Sequence, residues 1–480
     1  MTKSKDISQI GALSRRTVLR GMAAAGAAVA LPGIAARPAA AATPGSNPGK
    51  YKIDLGGYAG PELTDQPITL KFMRQDFTPQ VNATFDAAYA AFKEAYPNIS
   101  IEEERVPYGD LPQKVQVYVA SGTAPDIMMG RNDFASAYAA GEFVLPLDGL
   151  LTPEFIADVL PPLRESATIG GKLLCLPWET NPTFLHFNRE IFKKCGVETP
   201  PEVADVNQGW TVEQYLDAMD RITTALRAAG DKETFGLQAS VHGGGGPGSN
   251  YTQLESIWVR MMGDPKADKE SSAYKTFLGV SEDGLTASGY LDTPEAIKGM
   301  TNYQTMFSKG YTPKGIQPDM YRAGIAATAF DSMNTANIFR QNGSPFEWGC
   351  SPAPRGTIAY STTVADSPFI YAGTPNPNEA GALLAFINND TNRKAFHGAW
   401  GSMPVRLSLI DAEPAYKTDP VNMLALSSAL AAYGPPKTVG WFDYFSAVNP
   451  AVKDIALGAD PATRLKEAAV QIDGLLAKYK

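Results

Sequence analysis

Histidine and cysteine, on which many enzyme sites and metal centres depend, are scarce in this sequence. Only three of each occur in 480 residues. His186, His242 and His397 lie far apart, and none stands in an H-E-x-x-H or triad-like element. We therefore predict no metal site and no cofactor, and an enzyme is disfavoured. Acidic residues are plentiful, so a hydrolase or lyase acting through paired carboxylates stays open as an alternative.

The three cysteines also provide no disulfide framework. Cys175, Cys195 and Cys350 are odd in number and show no C-x-x-C or metal-ligand spacing. An oxidising compartment would permit one disulfide, for which Cys175 and Cys195 are the nearest pair in sequence. Buried free thiols are the favoured interpretation.

Long apolar stretches are absent apart from an N-terminal segment, which is shorter than the roughly 20 residues that a bilayer requires. The basic segment SRRTVLR at residues 14–20 precedes an Ala-rich stretch at residues 21–34, and Ala39 to Ala42 offer a small-residue cleavage site. The arginine pair is similar to the twin-arginine export motif, although Val18 stands where phenylalanine is commonest. Residues 1–42 are therefore predicted to be a twin-arginine-type export signal, with a disordered basic tail as the alternative. Because no cysteine lies near the cleavage region, we expect no lipid anchor and a periplasmic mature chain.

Positive charge is also in deficit. Without residues 1–42 the chain carries 36 basic and 49 acidic side chains, a balance of −13. Such an acidic surface disfavours nucleic acids and anionic membranes as partners. Hydrophobic residues make up 44% and charged residues 19%, which is the composition of a globular protein, and the length allows two domains.

Strand and helix signals begin at residue 68, after a stretch rich in Pro, Gly and Asp (residues 43–66) that is predicted to be an N-terminal arm or linker. Residues 68–73 alternate as a strand does, and apolar residues from Phe85 to Tyr96 recur at helical spacing. Residues 99–101 then begin a second strand. A strand, a helix and a strand in this order predict a parallel pair with a right-handed crossover.

The same alternation continues downstream. A helix is predicted from about Leu111 to Ser121, followed by a short strand at residues 127–129. Later helices are expected to start after Thr211, after Thr293 and at Asp460-Pro461. The glycine-rich loop at residues 242–248 lacks the Lys-Ser/Thr of a P-loop, so no phosphate site is predicted. The pattern indicates an α/β protein.

The segment ASGTAPDI at residues 120–127 resembles the A-S-G-x-x-P-D-[IV] signature of the family 1 extracellular solute-binding proteins. Further segments are similar to motifs of this family in the expected order. They are residues 145–148 (LPLD), 171–177 (GKLLCLP), 187–192 (FNREIF), 209–213 (GWTVE), 384–387 (LAFI) and 401–406 (GSMPVR). The likeness covers roughly residues 67 to 480.

The resemblance implies an α/β chain with the two-lobe periplasmic-binding-protein fold (type II, Venus flytrap), hinge strands and a C-terminal helical segment. It places lobe 1 at residues 67–179 and 371–425 and lobe 2 at residues 180–370 and 426–480. It also implies the extracytoplasmic substrate-binding component of an ABC importer. Such a component binds a small molecule between its lobes and delivers it to membrane permease subunits, and we expect it to be a monomer.

Candidate ligand contacts are residues that follow strands, because open α/β sheets bind ligands beyond the carboxyl ends of their strands. Aromatic rings can stack on a sugar while planar polar groups bind its hydroxyls. The candidates of this kind are Asp76, Phe77, Arg131, Asn132, Asp331 and Asn334. The resemblance adds Trp178, Glu179 and Asn181, where the chain is expected to leave the first lobe, and Trp441 and Tyr444, where the family often places a C-terminal aromatic residue. Tyr251 is a candidate because it follows the glycine-rich loop.

Structural roles compete with ligand contact at these positions. Trp178 could belong to a core between domains, Arg131 and Asn132 could cap a helix, and the aspartates could serve turns. Aromatic residues near strand ends, with Arg and Asn between them, favour a carbohydrate, either a mono- or an oligosaccharide. Clustered Asp and Glu would suit a cation, so a polyamine or an amino acid is the alternative ligand. Ferric-iron binders of this superfamily use adjacent tyrosines, and no Tyr-Tyr pair occurs here.

Overall fold

The structure is a computed structural model that describes residues 50–239, 256–315, 319–362 and 364–480. The chain divides into two compact units. Unit 1 runs through Asp158 and adds Ala167–Leu176 and Asp366–Ala399, and unit 2 consists of Val159–Ser166, Pro177–Ala365 and Trp400–Lys480. Residues 159–166, 177–179 and 400–425 were expected in lobe 1 and cluster with unit 2, whereas residues 366–370 were expected in lobe 2 and cluster with unit 1. The predicted signal at residues 1–42 lies outside the described residues.

The strands and helices of the described residues are numbered in chain order. The strands are β1 (Ile68–Gln75), β2 (Ile99–Val106), β3 (Ile127–Met128), β4 (Val144–Leu145), β5 (Thr168–Ile169), β6 (Lys172–Leu173), β7 (Phe184–Asn188), β8 (Phe235–Gln238), β9 (Ala326–Asp331), β10 (Trp348–Ser351), β11 (Ser361–Thr362), β12 (Phe369–Tyr371) and β13 (Ala432–Tyr433). The helices are α1 (Pro79–Ala95), α2 (Leu111–Ser121), α3 (Ala135–Gly141), α4 (Pro153–Asp158), α5 (Pro161–Ser166), α6 (Arg189–Cys195), α7 (Val212–Ala228), α8 (Ser256–Arg260), α9 (Ser272–Leu278), α10 (Pro294–Ser308), α11 (Met333–Asn342), α12 (Pro377–Ile387), α13 (Asp390–Trp400), α14 (Leu407–Ala412), α15 (Ala415–Thr418), α16 (Pro420–Leu430), α17 (Trp441–Leu457) and α18 (Pro461–Leu476).

Unit 1 contains a five-stranded sheet in the order β2-β1-β3-β12-β4. Strands β1, β2 and β3 are parallel, so the predicted parallel pair with its helical crossover is confirmed. Strand β12 returns late in the chain and is antiparallel to both β3 and β4. The carboxyl ends of β1, β2 and β3 and the start of β12 therefore meet at one edge of the sheet.

Local sequence explains where the first helices begin and end. The Thr78 side chain accepts the backbone N–H of Val81 at the start of α1, and Pro79 occupies the first turn, where its missing N–H is harmless. The apolar face predicted from Phe85 onward is buried. Gly122 ends α2 with a φ of +68°, a left-handed conformation that glycine adopts without strain.

Residues 50–66 form no helix or named strand, yet they pack against the rest of unit 1. Tyr58 is fully buried and forms an isolated bridge with Leu151. The backbone N–H of Thr64 donates to the Glu379 carboxylate at 2.9 Å. This segment is therefore an arm docked on unit 1.

Unit 2 is built around a four-stranded sheet in the order β10-β7-β9-β8. Strand β9 is parallel to β8 and antiparallel to β7, and both β7 and β9 are buried along their whole length. The predicted starts of three helices are confirmed. Thr211 forms a capping box with Gln214 at α7, Thr293 caps α10, and Asp460 caps α18.

All three cysteines are free thiols, with Cys175 and Cys350 buried and Cys195 partly exposed. Among the helices of the described ranges, none has the length and apolar character that crossing a membrane requires.

Candidate ligand-binding site

In unit 1 the ends of the parallel strands bring together residues that are distant in sequence. Asp76 follows β1, Tyr108 follows β2 and Arg131 follows β3. Because β12 is antiparallel to β3, the residues that precede it lie at the same edge, and Asp366 forms an isolated backbone bridge with Arg131. We call Asp76, Tyr108, Arg131, Asp133 and Asp366 the unit 1 edge.

A buried ion pair fixes the orientation of Arg131. Its Nε donates to Oδ1 of Asp133 at 2.9 Å and its Nη2 donates to Oδ2 at 2.6 Å, which is the bidentate geometry preferred by arginine and carboxylate. The remaining Nη1 donates to the Tyr108 hydroxyl at 3.4 Å. The Asp133 side chain is fully buried, and this burial raises the pKa of its carboxyl while the Arg131 guanidinium opposes the rise.

Gly130, directly before Arg131, allows the backbone to pass close to the Tyr138 and Phe369 side chains. A Cβ on Gly130 would lie 2.2 Å from the Tyr138 hydroxyl and 2.9 Å from the Phe369 ring. The same Tyr138 hydroxyl accepts the backbone N–H of Arg131 at 3.4 Å. Only glycine therefore permits Arg131 to leave β3 in this conformation.

Asp366 is a buried carboxylate with spare hydrogen-bonding capacity. The residue is 7% exposed, and its carboxylate accepts no hydrogen bond from any residue within the described ranges. Burial raises the pKa of Asp366 to about 7, with Arg131 lowering it and Asp133 raising it further. Such a group can accept a hydrogen bond from a ligand hydroxyl. Asp366 is not among the residues predicted from the sequence, although a polar residue shortly before β12 was the signal that could have pointed to it.

The other predicted residues of unit 1 have different surroundings. Asp76 is exposed and accepts a hydrogen bond from Nδ2 of Asn82 at 2.9 Å. Phe77 is buried in an aromatic cluster, with its ring centroid 6.0 Å from Phe85 and 5.6 Å from Phe396. Asn132 is buried at the start of a short 3₁₀ helix, Asn132–Phe134. Of these three, only Asp76 presents its side chain to solvent.

In unit 2 the corresponding edge lies at the end of β9. Asp331 ends β9 and pairs with Phe184 at the start of the antiparallel β7. The segment that leads into β7, residues 178–183, is therefore at the carboxyl end of β9. The backbone of Thr180 also forms a bridge with Met403, and its hydroxyl donates to the Val364 carbonyl at 3.1 Å. We call Trp178, Glu179, Asn181, Asp331 and Asn334 the unit 2 edge.

The Asp331 carboxylate is occupied by the start of α11. Its Oδ1 accepts the backbone N–H of Ser332 at 2.7 Å, and its Oδ2 accepts the Thr335 hydroxyl at 2.5 Å. Nε2 of His186 lies 3.0 Å from the Ser332 carbonyl oxygen, and burial lowers the pKa of this imidazole, so that it is neutral at pH 7. Asp331 and His186 thus hold the first turn of α11 in place.

Two asparagines of the unit 2 edge retain unused acceptors. Nδ2 of Asn181 donates to Oε2 of Glu179 at 2.8 Å, which fixes the orientation of the amide. The Oδ1 atoms of Asn181 and Asn334 are buried and accept no hydrogen bond within the described part of the chain. A buried acceptor without a donor is costly, so these two oxygens are candidates to receive ligand hydroxyl groups.

The predicted aromatic contacts of unit 2 are buried. Trp178 has no exposed surface, and Trp441, 8% exposed at the start of α17, packs its ring 4.4 Å from that of Phe445. Tyr444 is fully buried and donates its hydroxyl to the Gly279 carbonyl at 2.8 Å. Tyr251 lies outside the described residues. No group of three metal-ligating side chains occurs within the described ranges.

Residues 87–423 match the family described as bacterial extracellular solute-binding protein. The chain belongs to this family. The predicted resemblance is thereby confirmed, and the members of the family are binding proteins. Among curated relatives, a Brucella abortus (strain 2308) protein named as a binding protein without a stated ligand is 22% identical over 415 residues, covering 84% of this chain and 92% of that protein.

Two further solute-binding proteins are similar along most of their length. The maltotriose-binding protein of Pyrococcus abyssi is 22% identical over 394 residues, covering 80% of this chain and 75% of its own. The crystal structure of the cyclic α-maltosyl-1,6-maltose binding protein from Arthrobacter globiformis superposes with a TM-score of 0.67 at 18% identity, covering 85% of this chain and 99% of that protein. The predicted α/β fold of the periplasmic binding proteins is confirmed by this likeness.

Proposed function

We propose that this bacterial extracellular solute-binding protein is the extracytoplasmic component of an ABC importer and that its ligand is a carbohydrate. The observation that carries the proposal is the set of buried, unused acceptors at the carboxyl edges of the sheets, namely the carboxylate of Asp366 and the amide oxygens of Asn181 and Asn334. A sugar offers many hydroxyl donors, which would satisfy such acceptors. The names of the relatives from Pyrococcus abyssi and Arthrobacter globiformis support a sugar as the ligand.

The exposed aromatic ring of the unit 1 edge is the preferred stacking surface in this proposal. Tyr108 is 42% exposed, and its hydroxyl lies 3.4 Å from Nη1 of Arg131. An exposed ring can stack on the C–H face of a sugar while the adjacent guanidinium donates to its hydroxyls. The burial of Phe77, Trp441 and Tyr444 favours packing roles for these residues.

The location and partners of the protein also belong to the proposal. Residues 1–42 would direct export by the twin-arginine route, and the mature protein would be a periplasmic monomer without a lipid anchor. It would deliver its ligand to a membrane permease and catalyse no reaction of its own. The twin-arginine pair followed by an Ala-rich stretch supports the export route.

A thermal-unfolding screen tests the ligand class. The full-length mature protein is heated with maltose, maltotriose, D-glucose, spermidine or individual amino acids. A ligand present at about 100 times its Kd adds about 2.7 kcal/mol to the free energy of unfolding, so at least one sugar should raise the midpoint clearly. A response to spermidine or to amino acids alone would replace the carbohydrate by that ligand class, and conversion of a sugar into product would overturn the assignment as a pure binding protein.

A further inference from the structure

The arginine of the unit 1 edge is not available to bind an anion. Arginine recognises a carboxylate through two parallel N–H groups. Arg131 already uses Nε and Nη2 in this way on Asp133, at 2.9 and 2.6 Å. Within the described residues, the guanidinium makes one other hydrogen bond, from Nη1 to the Tyr108 hydroxyl at 3.4 Å. A ligand carboxylate would therefore have to compete with a buried ion pair.

A second carboxylate makes the same place unfavourable for negative charge. Asp366 pairs with Arg131 through the backbone, is 7% exposed and accepts no hydrogen bond within the described residues. The neighbouring Tyr138 and Cys175 remain neutral at pH 7, because burial raises the pKa of both groups. One guanidinium thus faces two carboxylates, and the local charge is −1 when both are ionised.

We infer that the Asp366 carboxylate accepts a hydroxyl hydrogen of the ligand at the unit 1 edge, where Asp366 and Arg131 are bridged through their backbones, and that this arrangement selects neutral sugars and excludes sugars that carry a carboxylate. The inference rests on the proposed carbohydrate function and names the class of sugar. A hydroxyl group can donate to Asp366, whereas the carboxylate group of a uronate in the same position can only accept. Discrimination follows from leaving Asp366 unpaired beside a like charge.

The preference for neutral over acidic sugars should increase as the pH rises. The pKa of Asp366 is raised to about 7, chiefly by burial, with Asp133 adding to the rise and Arg131 opposing it. Above pH 7 the carboxylate is ionised and repels a uronate. Below pH 7 it becomes neutral, so the penalty on a uronate diminishes while the uronate itself keeps its charge.

Titration calorimetry with paired sugars tests the inference. The probes are the neutral sugars maltose, maltotriose and D-glucose and the acidic sugar D-glucuronate, each at pH 8 and pH 5.5. The wild-type protein should bind at least one neutral sugar and should not bind D-glucuronate at pH 8. The variant Asp366→Asn should raise the Kd of the neutral sugar about 10-fold, since a hydrogen bond to a charged acceptor is replaced by a weaker one to a neutral amide. It should also reduce the preference for neutral over acidic sugars.

A matched control separates this effect from a general loss of charge. Asp65 is an exposed carboxylate in unit 1, at the amino end of β1 and opposite to the unit 1 edge. Asp65→Asn should leave every Kd unchanged, and circular dichroism should show that both variants are folded. Wild-type affinity for Asp366→Asn, or binding of D-glucuronate by the wild type at pH 8, would overturn the inference and leave the proposed function intact. A wild-type protein that binds none of the neutral sugars would overturn the proposed function, and the inference with it.

Discussion

Asp366 of unit 1 and Asp331 of unit 2 are both buried aspartates at a sheet edge, yet they are used differently. Asp331 is 4% exposed and accepts hydrogen bonds from Ser332 and Thr335, so its carboxylate organises the first turn of α11. Asp366 is 7% exposed and accepts none from the described residues. Burial at a strand end therefore does not by itself indicate a ligand contact. Unused hydrogen-bonding capacity is the better indicator.

The edges also differ in how they compensate charge. The unit 1 edge combines Arg131 with two carboxylates, whereas the unused acceptors of the unit 2 edge are the neutral amides of Asn181 and Asn334. Charged groups in a low-dielectric environment make large contributions of either sign, while amides contribute less. We therefore expect substitutions at the unit 1 edge to have the larger effects on stability.

The largest effect is expected for Arg131→Met. This change leaves Asp133 buried without its partner, so the free energy of unfolding should fall by about 3–5 kcal/mol at pH 7 in urea titrations. The deficit should shrink in acid, because the carboxyl groups then become neutral. The control Arg221→Met removes an exposed pair with Asp217 on α7 and should cost about 1 kcal/mol or less. If both variants lost the same free energy of unfolding, the buried pair would not be the main stabilising feature of this edge.

The second effect concerns Asp366 and pH. Because its pKa is raised to about 7, the folded chain holds a proton that the unfolded chain releases near pH 4. The stability that Asp366 contributes is therefore fully present below about pH 4. As the pH rises to 7 it is lost, and the free energy of unfolding falls by about 1 kcal/mol per pH unit over that interval. Asp366→Asn removes this dependence, so its unfolding free energy relative to the wild type should rise from pH 4.5 to pH 7.5. A constant difference across that range would show that the carboxyl titrates as an ordinary exposed group.

Asp331→Ala should have a smaller effect, and on stability rather than on binding. It removes the acceptor of the Ser332 N–H and of the Thr335 hydroxyl, so we expect a loss of about 2 kcal/mol in the free energy of unfolding. The Kd for the sugar that binds best should change by less than about threefold, because each carboxylate oxygen of Asp331 already accepts a hydrogen bond from the start of α11. A large rise in Kd without a loss of stability would place Asp331 among the ligand contacts and end the contrast with Asp366.

Particular residues show which part of this organisation the sequence could predict. The caps at Thr211 and Asp460 and the end of α2 at Ser121 depend on a few neighbouring residues, and all were predicted. Asp366 was missed because the edge on which it lies depends on β12 pairing antiparallel to β3, some 240 residues away in sequence. Proximity to a strand end also could not decide orientation. Phe77 and Tyr444 were predicted as contacts, whereas their side chains pack in the cores of their units.

The smallest of the four effects on stability tests the amides of unit 2. Asn181→Ala and Asn334→Ala each remove a buried oxygen that accepts no hydrogen bond in the described structure, so the free energy of unfolding should change by no more than about 1 kcal/mol. The Kd for the sugar should nevertheless rise about 5- to 10-fold per substitution, because a ligand hydroxyl loses its acceptor. Asn342→Ala, at the exposed end of α11, is the matched control and should alter neither quantity. Unchanged affinity in both test variants would show that these two amide oxygens do not accept a ligand hydroxyl.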